Sequence, residues 1–461
     1  MNIFELLNEK YILPDKPKLF EAFSGIGCQI MAFKRLGIEV ESIGFSEIDK
    51  YAIQSYQAIH GNHKSWGSIT DIKGKDLPEI DVFTYSFPCT DLSKAGKQKG
   101  LTDTRSGLVY EVLRILNELK EEERLPKVLI MENVVDLVQV KFIKQFQEIQ
   151  LELEELGYSN YTETLNAKDY GVAQNRDRVF MVSILGDYYY EFPKPIKLEK
   201  RLRDYLETNV DKKYRLSDRM LQGMMKTNFN SYQLENRLQD LDGCISSLII
   251  PENTEKGFAI AQEGDGVYTN RPHQKRGVVQ KGMIQTIKAN NSDIGVVVSD
   301  LKREYCNRLL EEGLVEPYDM IRHSYTNNRL ENDMERKEGQ NDISAALTTR
   351  PDTLGVVVPI CLNSKIEGKQ PSLTDRIYDS NSISTAITTS NFFMPNYTQG
   401  LHIRKLIPLE CWRLMGIDDE DFHKAQKSGV PSSQLYKQAG NGIVVDVFAA
   451  ILKTMVKGEL K

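Results

Sequence analysis

The chain of 461 residues is 40% hydrophobic and 27% charged, with a net charge of −6. Those are the proportions of an ordinary soluble globular protein long enough for two domains. No run approaches the roughly 18 apolar residues of a membrane span, and the first ten residues lack the basic start and apolar stretch of a secretory signal, so none is expected. The six cysteines (Cys28, Cys89, Cys244, Cys306, Cys361, Cys411) are scattered without a Cys-x-x-Cys pair, and the six histidines show no metal-ligand spacing. That argues against structural zinc, a disulfide framework or a metal enzyme, and leads us to expect a reducing cytoplasm.

From residue 17 to 185 short apolar runs alternate with amphipathic stretches, the pattern of βαβ units on a largely parallel sheet. The predicted strands are Lys18–Phe23, Val40–Phe45, Asp81–Phe87, Lys127–Met131 and Arg178–Ile184, and the predicted helices Gln29–Leu36, Ile48–His60, Gly107–Lys120 and Phe142–Leu156. An extended segment, Tyr161–Leu165, lies too close to Arg178–Ile184 for a parallel crossover, so an antiparallel edge hairpin is expected.

After Phe192-Pro193-Lys194-Pro195 the βαβ pattern stops, and residues 196–400 are richer in Asn, Thr, Ser and Gly. Three segments there share a pattern: Met283-Ile284-Gln285-Thr286-Ile287, Ile343-Ser344-Ala345-Ala346-Leu347 and Ile383-Ser384-Thr385-Ala386-Ile387. Each is followed, 11 positions after its first residue, by an apolar run beginning Ile294, Leu354 or Met394. A repeated hairpin scaffold explains this, and so does a scaffold whose loops serve recognition; we favour the second. Helical periodicity returns after Leu401, with an amphipathic helix predicted over Arg404–Gly416 and a final helix opened by Gly440-Asn441-Gly442 and running over Val445–Met455.

Several residues stand where chemistry would need them. Cys89, in Ser86-Phe87-Pro88-Cys89-Thr90, follows an apolar run, at the carboxyl end of a strand where open α/β sheets keep their ligands. Lys94, Lys97 and Lys99 nearby favour the reactive thiolate. Phe23-Ser24-Gly25-Ile26-Gly27 is a glycine-bearing turn after the first strand, and Glu47 follows the second, placed to accept hydrogen bonds from ribose hydroxyls. A tight turn and a helix N-terminal charge explain those two equally well. Glu132 closes the apolar Val128-Leu129-Ile130-Met131, where an acid is costly unless paired or functional. Arg176 and Arg178 alternate, on one face if the segment is extended. Net charge does not suggest a nucleic-acid partner, but binding needs only a local basic track. Pro88–Arg105 holds four bases against two acids, and Arg271-Pro272-His273-Gln274-Lys275-Arg276 is a second cluster, although either alone also reads as a solvated loop.

Taken together and in this order, the segments resemble the DNA cytosine-5 methyltransferase family of bacterial and phage restriction–modification systems. The likeness covers the chain apart from its first 16 residues and the central 200 or so. Phe23, Gly25, Ile26 and Gly27 resemble the family's S-adenosylmethionine loop, Glu47 with Ile48 its ribose-side pair, and Pro88-Cys89 its nucleophile motif. Glu132-Asn133-Val134 is similar to the catalytic glutamate motif and Gln174-x-Arg176-x-Arg178 to the arginine motif. Gly440-Asn441-Gly442 resembles the segment that completes the cofactor pocket, and the resemblance adds Ser68, Ile69, Leu108, Asn441 and Ile443 to the cofactor residues. The chain departs from the family pattern at Thr90, at Ser68 (where an aspartate commonly meets the adenine) and at Cys28.

The resemblance implies a Rossmann-like α/β methyltransferase with a mixed sheet, an antiparallel edge hairpin and an irregular β-rich target-recognition domain. The expected domains are catalytic, 1–195; target-recognition, 196–400; and C-terminal helices returning to the catalytic domain, 401–461. The expected cofactor is S-adenosylmethionine and the expected substrate double-stranded DNA, with no metal, no membrane, a monomeric state and a cognate restriction endonuclease as partner. Cys89 would add to C6 of an extruded cytosine, Glu132 would support N3, Arg178 would hold the base carbonyl and Arg176 its loop. DNA contacts are expected from Ser93, Lys97, Lys99, Arg271, Lys275, Arg276 and Arg350. A tRNA methylase of the same fold suits the long central insert less well. A nicotinamide oxidoreductase would need glycine where Ile30 stands, and a non-enzymatic DNA-binding module leaves Cys89, Glu132 and Arg178 without a role.

Overall fold

Apolar runs separated by amphipathic helices bury both faces only in a sheet covered on both sides. The computed structural model describes residues 9–88, 105–208, 210–216, 247–254, 257–269, 271, 274, 277–289, 293–299, 320–322, 339–340, 354–356 and 401–457. It divides the chain into two compact units. Unit 1 comprises Met1–Val210, Met283–Ser292 and Leu406–Lys461, and unit 2 comprises Asp211–Gly282 and Asp293–Lys405.

Unit 1 is built on a six-stranded sheet of order β2-β1-β3-β4-β7-β5. Its strands are β1 (Lys18–Ala22), β2 (Glu41–Ser46), β3 (Val82–Tyr85), β4 (Val128–Asn133), β5 (Tyr158–Asn166) and β7 (Asp177–Leu185), with a short β6 (Gln174–Asn175) between the last two. The first four run parallel, whereas β7 lies antiparallel to both β4 and β5. The expected α/β class, mixed sheet and antiparallel edge hairpin are therefore present. The parallel strands are joined by α1 (Cys28–Arg35), α2 (Lys50–His60) and α3 (Val109–Glu121), and α4 (Ile143–Glu155) leads from β4 to β5. In α3, Val109, Val112, Leu113, Leu116 and Leu119 make one buried face at helical spacing, packed with Phe83, Leu129, Met131 and Phe146 in the main core. Truncating such a buried aromatic to alanine costs about 3–5 kcal/mol.

The chain ends in four helices, α5 (Pro408–Arg413), α6 (Asp419–Lys427), α7 (Ser432–Asn441) and α8 (Val445–Lys453), of which α8 packs on α1 and α6 on α2. Polar bonds fix this closure: Arg35 reaches Asp446 (2.6 Å) and the Gly416 carbonyl (2.7 Å), and Lys437 meets Asp49 (2.5 Å). Two expectations are corrected here. Arg404 lies in a strand, β17 (Leu401–Arg404), and the helix begins at Pro408, which suits a first helical turn because it lacks an N–H. Gly440 and Asn441 end helix α7 instead of opening α8.

Unit 2 contains the hairpin β8 (Ser247–Pro251) with β9 (Phe258–Gln262), and a sheet of order β11-β10-β13-β17. In that sheet β10 is Gly266–Tyr268, β11 is Val279–Gln280 and β13 is Ile294–Ser299. Leu248, Ile250, Ala261, Val267, Val278, Val297 and Ile403 make its core. A further sheet has the order β15-β14-β16, formed by β14 (Met320–Arg322), β15 (Gly339–Gln340) and β16 (Leu354–Val356). Among the described residues no helix is long and apolar enough to cross a membrane.

Unit 1 also buries a titratable cluster beneath its first loop. The Tyr56 hydroxyl donates to Glu21 (2.5 Å) and lies 3.4 Å from His63, while Ile30 N–H donates to the other Glu21 oxygen (3.3 Å). Burial pushes the Glu21 carboxyl up to about 7, and burial pushes His60 down to about 4. The protonated acid is thus the native form, so its stabilisation is complete below pH 4.5, its ordinary value, and is lost as pH rises through 7. His60 acts in the opposite sense, because its neutral form is native: its contribution is present above 6.5 and falls away toward pH 4. We expect Glu21→Gln to remove the first slope, worth about 3 kcal/mol between pH 4.5 and 7. Its unfolding free energy relative to wild type should then rise with pH across that window in denaturant titrations. The amide facing Ile30 N–H shifts the offset but leaves the slope, and parallel pH profiles would contradict the assignment.

Candidate active site

The carboxyl ends of β1, β2, β3 and β4 carry the candidate residues of unit 1. After β1 the backbone turns through positive φ at Phe23 (55°), Gly25 (56°) and Gly27 (80°). A Cβ at Gly25 would meet open space, whereas one at Gly27 would lie 2.6 Å from His60 Nε2 and 2.7 Å from Tyr56 Cε2. His60 Nε2 sits 3.0 Å from the Ile26 carbonyl, so this nitrogen carries the proton that holds the turn. Glu47 accepts from Gly25 N–H (3.0 Å) with one oxygen, and from Ile48 and Asp49 N–H (2.8 and 2.9 Å) with the other. It thereby ties the loop after β1 to the start of α2.

Three features of this edge fit a nucleoside-bearing cofactor. The Ile48 side chain is 75% exposed although apolar, and Phe23 and Leu108 are only partly buried against the core. The hydroxyl oxygens of Ser24 and Ser86 are buried without a hydrogen-bond partner among the described residues. Lining of this kind, apolar faces with a few unspent polar atoms, is what a small-molecule site presents. At the sequence-predicted adenine position, Ser68 caps the short turn Ile69–Asp71 and bonds Thr70 (2.8 Å). Ile69 beside it is buried.

Glu132 and Arg178 come together where β4 meets β7. Arg178 Nε lies 3.0 Å from Glu132 Oε1, with the two side chains 17% and 9% exposed, and Arg178 Nη1 donates to the Asp177 carbonyl (2.7 Å). The antiparallel register sets this, since Glu132 faces Phe180 and Arg178 stands two residues before it on β7. A buried carboxylate costs less beside a guanidinium. Both line a narrow crevice with Leu165, Ala167, Arg176, Phe180, Val444 and Val447. The neighbouring Asn133 donates to the Phe87 carbonyl (3.1 Å), fixing the backbone that leads into Pro88.

Arg176 borders the same crevice, but its guanidinium is held by backbone carbonyls. Buried to 3% exposure, it donates to the carbonyls of Ile287 (2.9 Å), Gly440 (3.1 Å) and Gly442 (2.9 Å). Gln174, fully buried, bonds the Leu414 carbonyl (2.6 Å) and accepts from Ile287 N–H (3.1 Å). Beside them a short strand, β12 (Ile284–Gln285), pairs in parallel with β6. A Cβ on Gly440 would stand 2.1 Å from Ala289 N, so only glycine fits there. The first of the three similar segments is therefore held within unit 1.

The sequence profile of the C-5 cytosine-specific DNA methylases matches residues 18–457. The chain belongs to that family. This methylase is 28% identical over 481 aligned residues to the orphan methyltransferase M.SPRI of Bacillus phage SPR, covering 96% of this chain and 98% of that protein. It is 38% identical over 210 residues to the type II methyltransferase M.NlaX of Neisseria lactamica, across 45% of this chain and 66% of the relative. The solved structure of the Entamoeba histolytica methyltransferase EhMeth is similar in fold, with a TM-score of 0.51 at 14% identity over 96% of this chain and 98% of its own.

The methylase is thus a DNA (cytosine-5) methyltransferase. Its predicted residues Cys89, Ser93, Lys97, Lys99, Lys275, Arg276 and Arg350 lie outside the described residues, as do Ile343–Leu347 and Ile383–Ile387. Arg271 is described: it ion-pairs with Asp293 and lies 4.5 Å from the Tyr268 ring centroid. Asn441 and Ile443 flank Gly442, whose Cβ would meet the Cys28 sulfur at 3.2 Å. Burial pushes the Cys28 thiol up to about 12, so the residue that departs from the family's glycine is an inert filler. Sequence reasoning placed Ser24, Asn133 and Gln174 inside its motifs without giving them a role of their own, and it assigned none to Ser86.

Proposed function

We propose that this enzyme transfers a methyl group from S-adenosylmethionine to C5 of a cytosine flipped out of a specific duplex DNA sequence, through reversible addition of Cys89 at C6. The observation that carries the reading is the buried Glu132–Arg178 pair, whose Glu132 lies on β4, the neighbour of the strand that leads to Pro88. When bound, the cofactor supplies an electrophilic methyl group on sulfur. Phe23, Gly25, Ile26, Gly27, Glu47, Ile48, Ser68, Ile69, Pro88, Leu108, Asn441 and Ile443 are the residues proposed to hold it.

Cytosine C5 is a poor nucleophile. The Cys89 thiolate forms a bond to C6, and the displaced electron pair moves toward C5, which is then able to take the methyl group. Glu132 holds N3 and offsets the charge that addition would place in the ring. Arg178 turns its remaining donors to the base carbonyl, and Arg176 secures the segments behind it. When the C5 proton leaves, its bond pair restores the C5–C6 double bond, the C6–S bond breaks and 5-methylcytosine is released. Extrusion of the base costs a few kcal/mol, offset by contacts in the site.

DNA substituted with 5-fluorocytosine tests this, because fluorine cannot leave as a proton and the adduct should be trapped. Mass spectrometry should place the crosslink on Cys89. Cys89→Ala should bind DNA and cofactor yet transfer no tritiated methyl group. A crosslink elsewhere, or none, would overturn the reading.

A further inference from the structure

We infer that Arg271 reads a guanine of the DNA sequence the enzyme marks, held in its reading position by Tyr268 and Asp293. The inference rests on the methylation reading above and deepens it, since it names a residue that sets sequence preference. Arg271 lies in the connection between β10 and β11, residues 269–278, which holds three bases and no acid in a chain of net charge −6. Binding to phosphates needs no more than such a local charge. Arg271 is restrained well beyond that need.

The restraints come from three directions. The guanidinium lies over the Tyr268 ring, 4.5 Å from its centroid, so one face is covered. One N–H of Nη2 is donated to Asp293, whose side chain is 11% exposed against 39% for the arginine. The Arg271 carbonyl accepts from Gln274 N–H (3.2 Å), and the Gln274 carbonyl accepts from Asn253 N–H (2.9 Å) just past β8. The two clamping residues are themselves fixed by the sheet. Tyr268 pairs with Ile294 across β10 and β13, and its N–H donates to the Val278 carbonyl (2.9 Å). Thr269 N–H donates to the Asp293 carbonyl (2.9 Å), which continues the same ladder.

A guanidinium held in this way keeps a two-donor edge. Whichever hydrogen of Nη2 Asp293 accepts, the other stands parallel to Nε–H or to a hydrogen of Nη1. Neither Nε nor Nη1 has a hydrogen-bond partner among the described residues. Two parallel donors match O6 and N7 of guanine in the major groove. They also match two phosphate oxygens, and electrostatics decides between these acceptors. Asp293 offsets the arginine's charge at contact distance, which weakens its pull on a phosphate and sets a carboxylate near the phosphate oxygens. The guanine edge carries no net charge, so it loses less by that offset and gains from the fixed direction of the donors. An ion pair that only pins the loop explains the Asp293 contact, but it requires neither the stacked face nor the open edge.

The test maps 5-methylcytosine in DNA of a host that lacks cytosine methylation, with the full chain or a variant expressed. Wild type should require guanine at one motif position where Arg271→Ala and Arg271→Lys no longer require it. Discrimination there should fall roughly 5- to 150-fold, the range of one bidentate arginine–guanine pair, with the other positions unchanged. Tyr268→Leu and Asp293→Asn should relax the same position to a smaller degree, and Tyr268→Phe, which keeps the ring, should not. A role confined to holding the loop would weaken marking without altering base preference. Salt titration of binding to the mapped duplex checks the phosphate alternative, because a lost phosphate contact in Arg271→Ala lowers the slope of log K against log salt by about 1. Uniform loss across sites, that drop in slope, or an unaltered motif in both Arg271 variants would overturn the guanine assignment alone. Wild-type DNA without 5-methylcytosine would overturn the methylation reading and this inference with it.

Discussion

Replacing Glu132 by glutamine should slow methyl transfer roughly 10²–10⁴-fold, the span that a positioned acid or base contributes, while cofactor affinity stays within a factor of two. The substitution is nearly isosteric, and Asn133, which holds the Phe87 carbonyl, is untouched. An amide oxygen still accepts from Arg178 Nε, so the 3.0 Å contact between β4 and β7 survives in weaker form. What disappears is the group able to carry a proton to N3. As sulfur adds at C6, negative charge develops at N3, which a carboxyl group offsets by delivering a proton and an amide cannot. Single-turnover tritium transfer at saturating DNA and cofactor isolates the chemical step, and calorimetry with the cofactor checks the other half. A rate unchanged from wild type would remove Glu132 from the reaction.

Such a residue is legible in the chain because an acid that closes a wholly apolar strand has few inexpensive places to go. The same logic made β3 and β4 legible, each a largely apolar run followed by a helix with a buried apolar face. Legibility fell where the cause is remote. Strand β5 runs over Tyr158–Asn166, longer than the predicted Tyr161–Leu165, because its ends carry Ser159, Asn160 and Asn166, polar residues that give no strand signal on their own. Arg404 sits in a local pattern that suits a helix, but its backbone answers to Val296, more than 100 residues earlier. Helix α6 was missed because its buried residues include only two apolar side chains, Phe422 and Ala425, in an otherwise polar stretch. Within the site, Glu132 and Arg178 could be proposed singly, but their pairing depends on the antiparallel register of β4 and β7. The partners of Arg176 are backbone carbonyls, which no side-chain pattern announces.

Those partners make Arg176→Lys the sharpest structural test in unit 1. The guanidinium fork reaches carbonyls on two segments, 111 and 264–266 positions along the chain, and draws the turn at Gly440–Gly442 against Ile287. Lysine keeps the charge but offers a single nitrogen on a flexible stem, and it cannot serve three acceptors in fixed directions. At 3% exposure the abandoned carbonyls have no water to replace the lost donor. Breaking a buried charged network of this sort costs about 3–5 kcal/mol, and we expect the midpoint of denaturant unfolding to fall accordingly. The effect should reach beyond stability, because the same turn carries Asn441 and Ile443, and Gly442 packs on Cys28 at the start of α1. Cofactor affinity should therefore drop at temperatures where the variant remains folded, whereas Glu132→Gln leaves it intact. If Arg176→Lys unfolds at the wild-type denaturant concentration and binds cofactor equally well, the clamp has no energetic weight, and Arg176 would have to act on the substrate itself.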